Sequence, residues 1–596
     1  MLKKTSFFVI GTAFVVLLIA NLFITYIDEE EQTDIPQVRD ETTYRHIRQG
    51  DIVGFIDQHG ARSWQGIPYA SAPTKELRWK APQPPQHSYE LLETLEPGNR
   101  CPQFALTANS SEDPSSNRFI GDEDCLFLNV WSPPNAVDLP VMVWIHGGGN
   151  TIGNGGDYSG AWLAANREVV IVTINYRLGV FGWFRHPKIQ TGNASDDSGN
   201  YGTLDIIQSL KWVGENIREF GGDPDNVTIF GESAGGVNVL AMVASPLAKD
   251  LFHKAIVQSG GLSLTTAARA ENFSEDGGHP FSSKEIVSKL LINDGRANNL
   301  ESADKYQDKL SAIKLSEYLN EKTPSEMFRL FDGKGFGMIP LPDTFRDGHV
   351  IPDLSSNEIF STQEQHNMVP IILGTNRDEP SLFMFRDPKY VGNYFGVIPY
   401  LKDEDTYRKA VKYGGLSWKV RGVDDIADKM SRAGNSNVFA YRFDWDEEPS
   451  QYGFDLNIAL GASHALEIPF VFGEFGGRLF SGLYPNDEAQ HKLSESMTSY
   501  WTEFAYTGNP GKGRDKKEAY WASWKENDMT SLILDTERDS GIRMISDQYT
   551  IKSIKEEFMS DQFDKDEQKC GLYKSTFRGE HFIQDEYDRL TESPCI

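Results

Sequence analysis

The sequence predicts an α/β fold in which helices flank a mostly parallel central sheet. After residue 45, apolar strand-like runs alternate with amphipathic helix-like runs, as expected of strands joined by crossover helices. Two of the apolar runs, residues 139–145 and 169–174, are continuous rather than alternating, which is typical of buried parallel strands. Residues 204–220 have helical spacing and end at Gly221, so a flanking helix is expected there.

The rest of the chain is interpreted as insertions and extensions of this one domain. Residues 265–330 and 376–435 are more polar and helical, which indicates helical insertions rather than separate domains. We therefore predict one domain over residues 46–560. Residues 561–596 are interpreted as a charged C-terminal tail.

The chain of 596 residues is strongly acidic, with a formal net charge of −28 and a pI of about 4.9. A surface of this charge repels phosphate backbones, so no nucleic-acid partner is expected. We interpret the acidity as a heavily solvated surface that keeps the protein soluble.

A long apolar run lies close to the N-terminus. Residues 5–27 are uncharged and rich in Phe, Val, Leu and Ile, and a helix of this length crosses a hydrocarbon core of about 30 Å. Lys3 and Lys4 precede the run and four acidic residues follow it, which predicts a cytoplasmic N-terminus over residues 1–4. Because no small-residue cleavage site is evident, we predict an N-terminal transmembrane signal anchor, a linker over residues 28–45 and an exported, membrane-anchored domain, periplasmic or extracellular. A cleaved signal peptide, which would make the protein secreted, is the alternative.

The four cysteines permit three pairings, and an exported domain can form disulfides. Cys101 and Cys125 bracket a polar loop that a cross-link would constrain. Cys570 and Cys595 bracket the charged tail, where a second bridge would close a similar loop. We predict both bridges, although the residue pattern leaves the pairing of Cys570 with Cys595 open.

A Gly-x-Ser-x-Gly motif at residues 231–235 has Ser233 at its centre. The apolar strand-like residues 227–230 precede it, and the apolar helix-like residues 237–243 follow it. In this context a strained turn projects the serine hydroxyl above the sheet, and the glycines let neighbouring backbone pass close by. We predict that Ser233 is a nucleophile, and that Glu232 supports it by electrostatics or hydrogen bonding.

Three consecutive glycines, residues 147–149, come directly after His146 and the strand-like run at residues 139–145. Consecutive glycines at the end of a core strand can offer two backbone N–H groups to one oxygen atom. With the N–H of Ala234, they would form an oxyanion hole for acyl transfer. His146 itself is expected to pack against and hydrogen-bond the loop.

An acidic residue should follow the nucleophile in the chain. The strand-like residues 369–374 lead to Asp378 and Glu379, and a side chain just past the carboxyl end of a strand is well placed to face the site. The residue pattern does not separate Asp378 from Glu379.

The general base should be a histidine that follows this acid. Three histidines do so. His491 begins an amphipathic helix and His581 lies in the charged tail, whereas His464 lies in a loop shortly after a strand-like run. Elimination therefore predicts His464 as the base.

These motifs resemble the type-B carboxylesterase family, which has the α/β-hydrolase fold, and bacterial members most. The similarity runs from about residue 48 to residue 545 and is carried by several motifs besides those already described: Gln65-Gly66-Ile67-Pro68-Tyr69-Ala70, Glu123-Asp124-Cys125-Leu126-Phe127-Leu128-Asn129-Val130-Trp131, Asn175-Tyr176-Arg177, Gly199-Asn200-Tyr201-Gly202 and His464-Ala465-Leu466-Glu467-Ile468-Pro469-Phe470.

The resemblance implies specific roles for residues of this chain. It implies Glu379 rather than Asp378 as the acid, a Cys101–Cys125 disulfide, and a set of three oxyanion donors: Gly148, Gly149 and Ala234. It also implies a serine carboxylesterase that hydrolyses small-molecule esters through an acyl-enzyme. Since no metal cluster or dinucleotide-binding loop is evident in the sequence, no cofactor is expected.

Two features depart from the family pattern. Pro380 follows the acid where the family usually has glycine, and the loop between the first two cysteines has no tryptophan, which disfavours a choline substrate. A lipase-like esterase and a non-catalytic adhesion or binding protein on the same fold remain the alternatives. The sequence does not indicate the oligomeric state.

Overall fold

A computed structural model of the protein describes residues 37–105, 119–332, 336–394, 398–450, 453–475, 482–591 and 595. The predicted anchor at residues 5–27 lies outside these ranges. Within them, no helix combines the length and apolar character needed to cross a bilayer.

The strands are short at the N-terminal end and longest in the middle of the chain. In chain order they are β1 Arg45–Ile47, β2 Gly50–Val53, β3 Phe55–Ile56, β4 Arg62–Pro68, β5 Leu92–Glu93, β6 Gln103–Phe104, β7 Phe119–Ile120, β8 Phe127–Ser132, β9 Leu139–Ile145, β10 Val170–Ile174, β11 Gly222–Glu232, β12 Lys254–Gln258, β13 Thr265–Thr266, β14 Phe345–Arg346, β15 Ile371–Asn376, β16 Val391–Tyr394, β17 Ile398–Leu401, β18 Val438–Phe443, β19 Ser531–Leu534 and β20 Arg543–Ile545.

The helices connect these strands and fill the predicted insertions. In chain order they are α1 Ala161–Arg167, α2 Gly179–Gly182, α3 Tyr201–Asn216, α4 Ala234–Ala244, α5 Ala267–Glu271, α6 Ser283–Asn293, α7 Leu300–Lys309, α8 Ala312–Asn320, α9 Pro324–Phe328, α10 Ser356–Ser361, α11 Ser381–Met384, α12 Glu404–Lys419, α13 Asp425–Arg432, α14 Leu456–Ala459, α15 Ile468–Phe472, α16 Glu488–Thr507, α17 Ile551–Ser560, α18 Asp566–Thr576 and α19 Gln584–Tyr587. One π-helical turn, Val420–Asp424, joins α12 to α13.

The main sheet has the strand order β20-β19-β18-β15-β12-β11-β9-β10-β8-β4-β3. The strands from β10 to β19 in this order pair in parallel, whereas both edges of the sheet pair antiparallel. The predicted mostly parallel sheet is therefore confirmed. Because parallel strands end at the same edge, the residues after β9, β11 and β15 meet at the carboxyl edge of the sheet.

The two faces of the sheet contribute to two different hydrophobic clusters. Along β9, Val141, Val143 and Ile145 belong to one cluster, and the alternate residues Met142 and Trp144 belong to the other. This alternation follows from the two-residue period of a strand. Both faces are buried, so β9 reads as a continuous apolar run rather than as an alternating one.

The C-terminal residues fold back onto α12. Phe558 of α17 packs against Tyr413 of α12, with their ring centroids 4.9 Å apart, and Tyr413 donates a hydrogen bond to Asp561 over 2.7 Å. A disulfide joins Cys570 of α18 to Cys595, as predicted. The segment described from sequence as a charged tail therefore contributes α18 and α19 to a cluster of aromatic side chains.

Candidate active site

Ser233 stands between β11 and α4 in a strained backbone conformation. Its φ of 57° and ψ of −122° are a combination that a residue with a side chain rarely adopts, at a cost of about 1–3 kcal/mol. Hydrogen bonds hold the turn, because Ser233 N–H donates to the carbonyl oxygen of Gln258 and its own carbonyl accepts from Val237 N–H, each over 2.9 Å. The fold thus provides the strand–turn–helix that the motif predicts.

The close approach of backbone around this turn accounts for Gly235. A β-carbon on Gly235 would stand 1.9 Å from the carbonyl oxygen of Ile145, a distance that no side chain tolerates. The same contact brings the end of β9, and the glycines that follow it, against the turn at Ser233. Gly147 lies so close that a β-carbon there would stand 3.2 Å from the β-carbon of Ser233.

The predicted oxyanion donors lie around this contact. Gly148 and Gly149 have φ values of 98° and 61°, which side-chain-bearing residues seldom adopt. Ala234 is the first residue of α4, where backbone N–H groups have no partner within the helix. In the described part of the chain, no hydrogen bond uses the N–H of Gly148 or Gly149, so both donors are available to a ligand oxygen.

The imidazole of His464 meets the carboxylate of Glu379 in the buried interior. His464 Nδ1 lies 2.5 Å from Glu379 Oε2, and the exposed fractions of the two side chains are 4% and 0%. The other carboxylate oxygen of Glu379 accepts hydrogen bonds from Thr375 Oγ1 and Asn376 N–H, each over 2.8 Å. This network fixes the orientation of the carboxylate, and through it that of the ring.

Asp378, the other candidate for the acid, contacts groups other than His464. Its carboxylate accepts hydrogen bonds from the Arg377 guanidinium at 2.9 and 2.7 Å and from Ala462 N–H at 3.1 Å. The structure therefore brings Glu379 rather than Asp378 to His464. Pro380, which replaces the usual glycine, stands at the N-terminal end of α11 and packs over Gly414 of α12, where a β-carbon would lie 2.6 Å from Pro380 Cγ.

The carboxylate of Glu232 contacts His464, which its position beside Ser233 in the sequence did not indicate. Its Oε1 is 3.1 Å from His464 Nε2, but this oxygen accepts no hydrogen bond from any described residue. The contact is therefore an ion pair without hydrogen-bond geometry. His464 Nε2 makes no hydrogen bond to any described residue.

Glu467 is a third carboxylate near the imidazole, and sequence reasoning assigned it no role. Its oxygens accept hydrogen bonds from Gln258 Nε2 at 3.1 Å and Asn376 Nδ2 at 2.7 Å. Glu467 was part of the motif that carried the family resemblance. Its contact with the site depends on the fold that brings α15 beside β12 and β15.

The pKa values follow from this concentration of buried charge. Burial lowers the pKa of His464, but Glu232 and Glu379 outweigh it, and the net effect raises that pKa to about 9. Burial raises the pKa of Glu232 to about 8, and the negative charges of Glu467 and Glu379 act in the same direction. His146 behaves differently, because burial lowers its pKa to about 4 and its ring stacks on Tyr176, consistent with the predicted packing role.

Two aromatic side chains from the second predicted insertion form a wall beside His464. The rings of Trp418 and Phe383 lie 5.0 and 5.3 Å from the imidazole centroid. Phe383 is 40% exposed, so this wall is open to a ligand. No sequence motif marked either residue, since nothing in a local pattern indicates that α11 and α12 return to His464.

Comparison with known proteins now identifies the family. The sequence model of the Carboxylesterase family matches residues 41–412 and 402–552 of this chain. The chain belongs to the carboxylesterase family. It is accordingly a carboxylic ester hydrolase with the α/β-hydrolase fold, as predicted from the sequence.

Individual carboxylesterases support the same conclusion. The chain is 34% identical over 504 residues to para-nitrobenzyl esterase of Bacillus subtilis (strain 168), covering 82% of this chain and 94% of that protein. It is 30% identical over 517 residues to fumonisin B1 esterase of Sphingopyxis macrogoltabida, covering 82% and 85%. A solved structure of PNB esterase has a TM-score of 0.61 at 29% identity, covering 86% and 99%. The carboxylesterase of Geobacillus stearothermophilus has a TM-score of 0.61 at 28% identity, covering 84% and 98%.

Proposed function

We propose that this carboxylesterase hydrolyses esters in two steps, with Ser233 as nucleophile, His464 as general base and Glu379 as the orienting acid. The observation that carries the proposal is the 2.5 Å contact between His464 Nδ1 and the buried carboxylate of Glu379. Ser233 is held on a strained turn directly after Glu232, whose Oε1 lies 3.1 Å from His464 Nε2. A carboxylate on Nδ1 fixes the tautomer that leaves Nε2 to accept a proton.

In the first step, His464 Nε2 takes the proton from Ser233 Oγ as that oxygen attacks the ester carbonyl. The resulting oxyanion accepts hydrogen bonds from the N–H groups of Gly148, Gly149 and Ala234. Removal of one such donor typically costs about 10²–10³ in rate. His464 then gives the proton to the leaving alcohol, and water hydrolyses the acyl-enzyme by the same route.

The charge around His464 fits this cycle. The imidazolium that forms in both transition states would lie among three carboxylates, those of Glu232, Glu379 and Glu467. Glu232, at 3.1 Å from Nε2, is well placed to stabilise it.

The test is the hydrolysis of short-chain p-nitrophenyl esters by the whole chain and its Ser233→Ala variant. We expect activity in the wild type and a loss of at least about a thousandfold in the variant. Ser361→Ala, at the exposed end of α10, is the matched control and should retain full activity. The absence of turnover by folded wild type, together with no labelling of Ser233 by an organophosphonate, would refute the proposal.

We also propose that the domain is exported and that residues 5–27 anchor it to a membrane, or are cleaved to release it. The two disulfides support export, because such bonds persist in oxidising compartments. Membrane fractionation followed by mass spectrometry of the N-terminus distinguishes the two forms. Recovery of the protein in the cytoplasm with all four thiols reduced would contradict export.

A further inference from the structure

Asn150 directly follows Gly149, one of the three proposed oxyanion donors, and its side chain is buried. Its φ is 58°, in the left-handed region that favours glycine and that asparagine tolerates better than most other residues. Its carbonyl oxygen accepts a hydrogen bond from Gly179 N–H over 2.7 Å. The backbone at the end of the glycine loop is therefore held at this residue.

The side-chain amide of Asn150 joins two other segments of the chain to this loop. Its Nδ2 donates a hydrogen bond to Asp343 Oδ2 over 2.7 Å, and its Oδ1 accepts one from Asn238 Nδ2 over 2.8 Å. Asn238 is a buried residue of α4, the helix whose first residue is Ala234. Because both ends of the Asn150 amide have partners, its orientation is fixed.

The segment that contains Asp343 also lies against the glycine loop. Gly149 and Asp343 line the same small cavity, of about 10 Å³. A β-carbon on Gly149 would stand 2.9 Å from Met338 Sδ. The hydrogen bond between Asn150 and Asp343 therefore lies close to a proposed oxyanion donor.

An oxyanion hole needs donors that converge on one point. The N–H groups of Gly148 and Gly149 come from the loop after β9, whereas that of Ala234 comes from α4. Consecutive glycines do not hold a backbone conformation by themselves, and a displacement of about 1 Å in an active site can cost about 10²-fold in rate. A contact that ties the loop to the helix can therefore act on catalysis without touching the substrate.

We propose that Asn150 is a positioning residue, whose hydrogen bonds to Asn238 and Asp343 hold the glycine loop in place beside the N-terminal end of α4. The inference rests on the function proposed above, because the loop donors matter only if an ester carbonyl is attacked there. The oxyanion exists in the transition state and not in the bound ester. Loss of these hydrogen bonds should therefore lower kcat and leave KM nearly unchanged.

The first variant is Asn150→Gly, which keeps a backbone that accepts the positive φ and removes both side-chain hydrogen bonds. With the whole chain and p-nitrophenyl butyrate, we expect kcat to fall about 10- to 100-fold and KM to stay within about threefold of wild type. A trifluoromethyl ketone adds to the serine as an oxyanion, so its inhibition constant should rise by the same factor as kcat/KM falls. The assay is run at about pH 8, since burial raises the pKa of Asp343 to about 6 and its carboxylate is then ionised.

An exchange of the two polar groups tests the hydrogen bond to Asp343 itself. Asn150→Asp places a second carboxylate against that of Asp343 and should also lower kcat. In the double variant Asn150→Asp with Asp343→Asn, an amide at position 343 can donate to a carboxylate at position 150, so kcat should return to within about fivefold of wild type. Asn166→Asp, on the exposed side of α1, is the matched control and should leave kcat unchanged.

A kcat within about threefold of wild type in Asn150→Gly, or a loss confined to KM, would overturn the inference. The same holds if the melting temperature falls but kcat of the folded variant does not, because Asn150 then stabilises the fold without positioning the donors. A folded double variant that recovers no activity would also contradict it, and Asn150→Gly decides alone if the exchange variants do not fold. A wild type that hydrolyses no ester, or full activity in Ser233→Ala, contradicts the proposed function instead.

Discussion

Replacement of Glu232 by glutamine tests the electrostatics of the site most directly, because it removes one charge and keeps the shape. Glu232 Oε1 lies 3.1 Å from His464 Nε2, and both side chains are 4% exposed. At an effective dielectric constant of about 20, two unit charges at this distance interact by about 5 kcal/mol, equivalent to about four pKa units. Glu232 is protonated over part of the range, since its own pKa is raised to about 8, so we expect a smaller shift of about one to two units.

The sign of the effect follows from the charge that is lost. A carboxylate stabilises the imidazolium, so its removal lowers the pKa of His464 from about 9. The neutral imidazole, which is the base, then persists to lower pH. The acidic limb of kcat/KM should therefore move to lower pH, and the plateau should fall about tenfold, because the imidazolium of the transition state loses the same stabilisation.

The measurement is kcat/KM for a neutral p-nitrophenyl ester between pH 5 and 10, in wild type and Glu232→Gln. Glu215→Gln is the control, since it removes the same charge from an exposed ion pair with Arg48 and should leave the profile in place. An acidic limb that stays where it is in Glu232→Gln, or moves to higher pH, would refute the reasoning.

Two further predictions concern stability. Asp205 forms a buried ion pair with Arg177, with a 2.7 Å contact and side chains that are 0% and 3% exposed, so Asp205→Asn should lower the free energy of unfolding in urea by about 3–5 kcal/mol. A change below about 1 kcal/mol would contradict a strongly stabilising role for this ion pair. Gly235→Ala should abolish activity and lower the melting temperature, because its β-carbon would meet the Ile145 carbonyl oxygen at 1.9 Å, whereas Gly214→Ala, with no atom within 4 Å of the new carbon, should be neutral or slightly stabilising. Full activity in Gly235→Ala would mean that the turn adapts to a side chain.

Local pattern was enough to locate the elements that position the site. The strand–turn–helix around Ser233 and the glycines after β9 are recognisable as short sequence patterns, although the steric need for Gly235 comes from Ile145 in another strand. The sheet could likewise be predicted, because a strand buried on both faces must be continuously apolar. The roles of Ser233, His464 and Glu379 in catalysis stay predictions until the variants are measured.

Local sequence pattern could not decide whether Asp378 or Glu379 contacts His464. The two residues are adjacent and chemically alike, and only the positions of distant groups distinguish them. Asp378 meets Arg377 and the backbone of Ala462, whereas Glu379 meets His464, 85 residues further along the chain. The resemblance to a family indicated Glu379, but the residues by themselves did not.

The sequence alone determined the parallel sheet, the turn at Ser233, the glycine loop, the acidic composition and the family. These features are encoded within segments or in overall composition, so they do not depend on which segments meet. Only the tertiary structure decided that Glu232 contacts His464 and that Trp418 and Phe383 form a wall beside it. Each of these contacts joins residues far apart in the chain, and the energy of burying them together is a property of the packed fold rather than of any one segment.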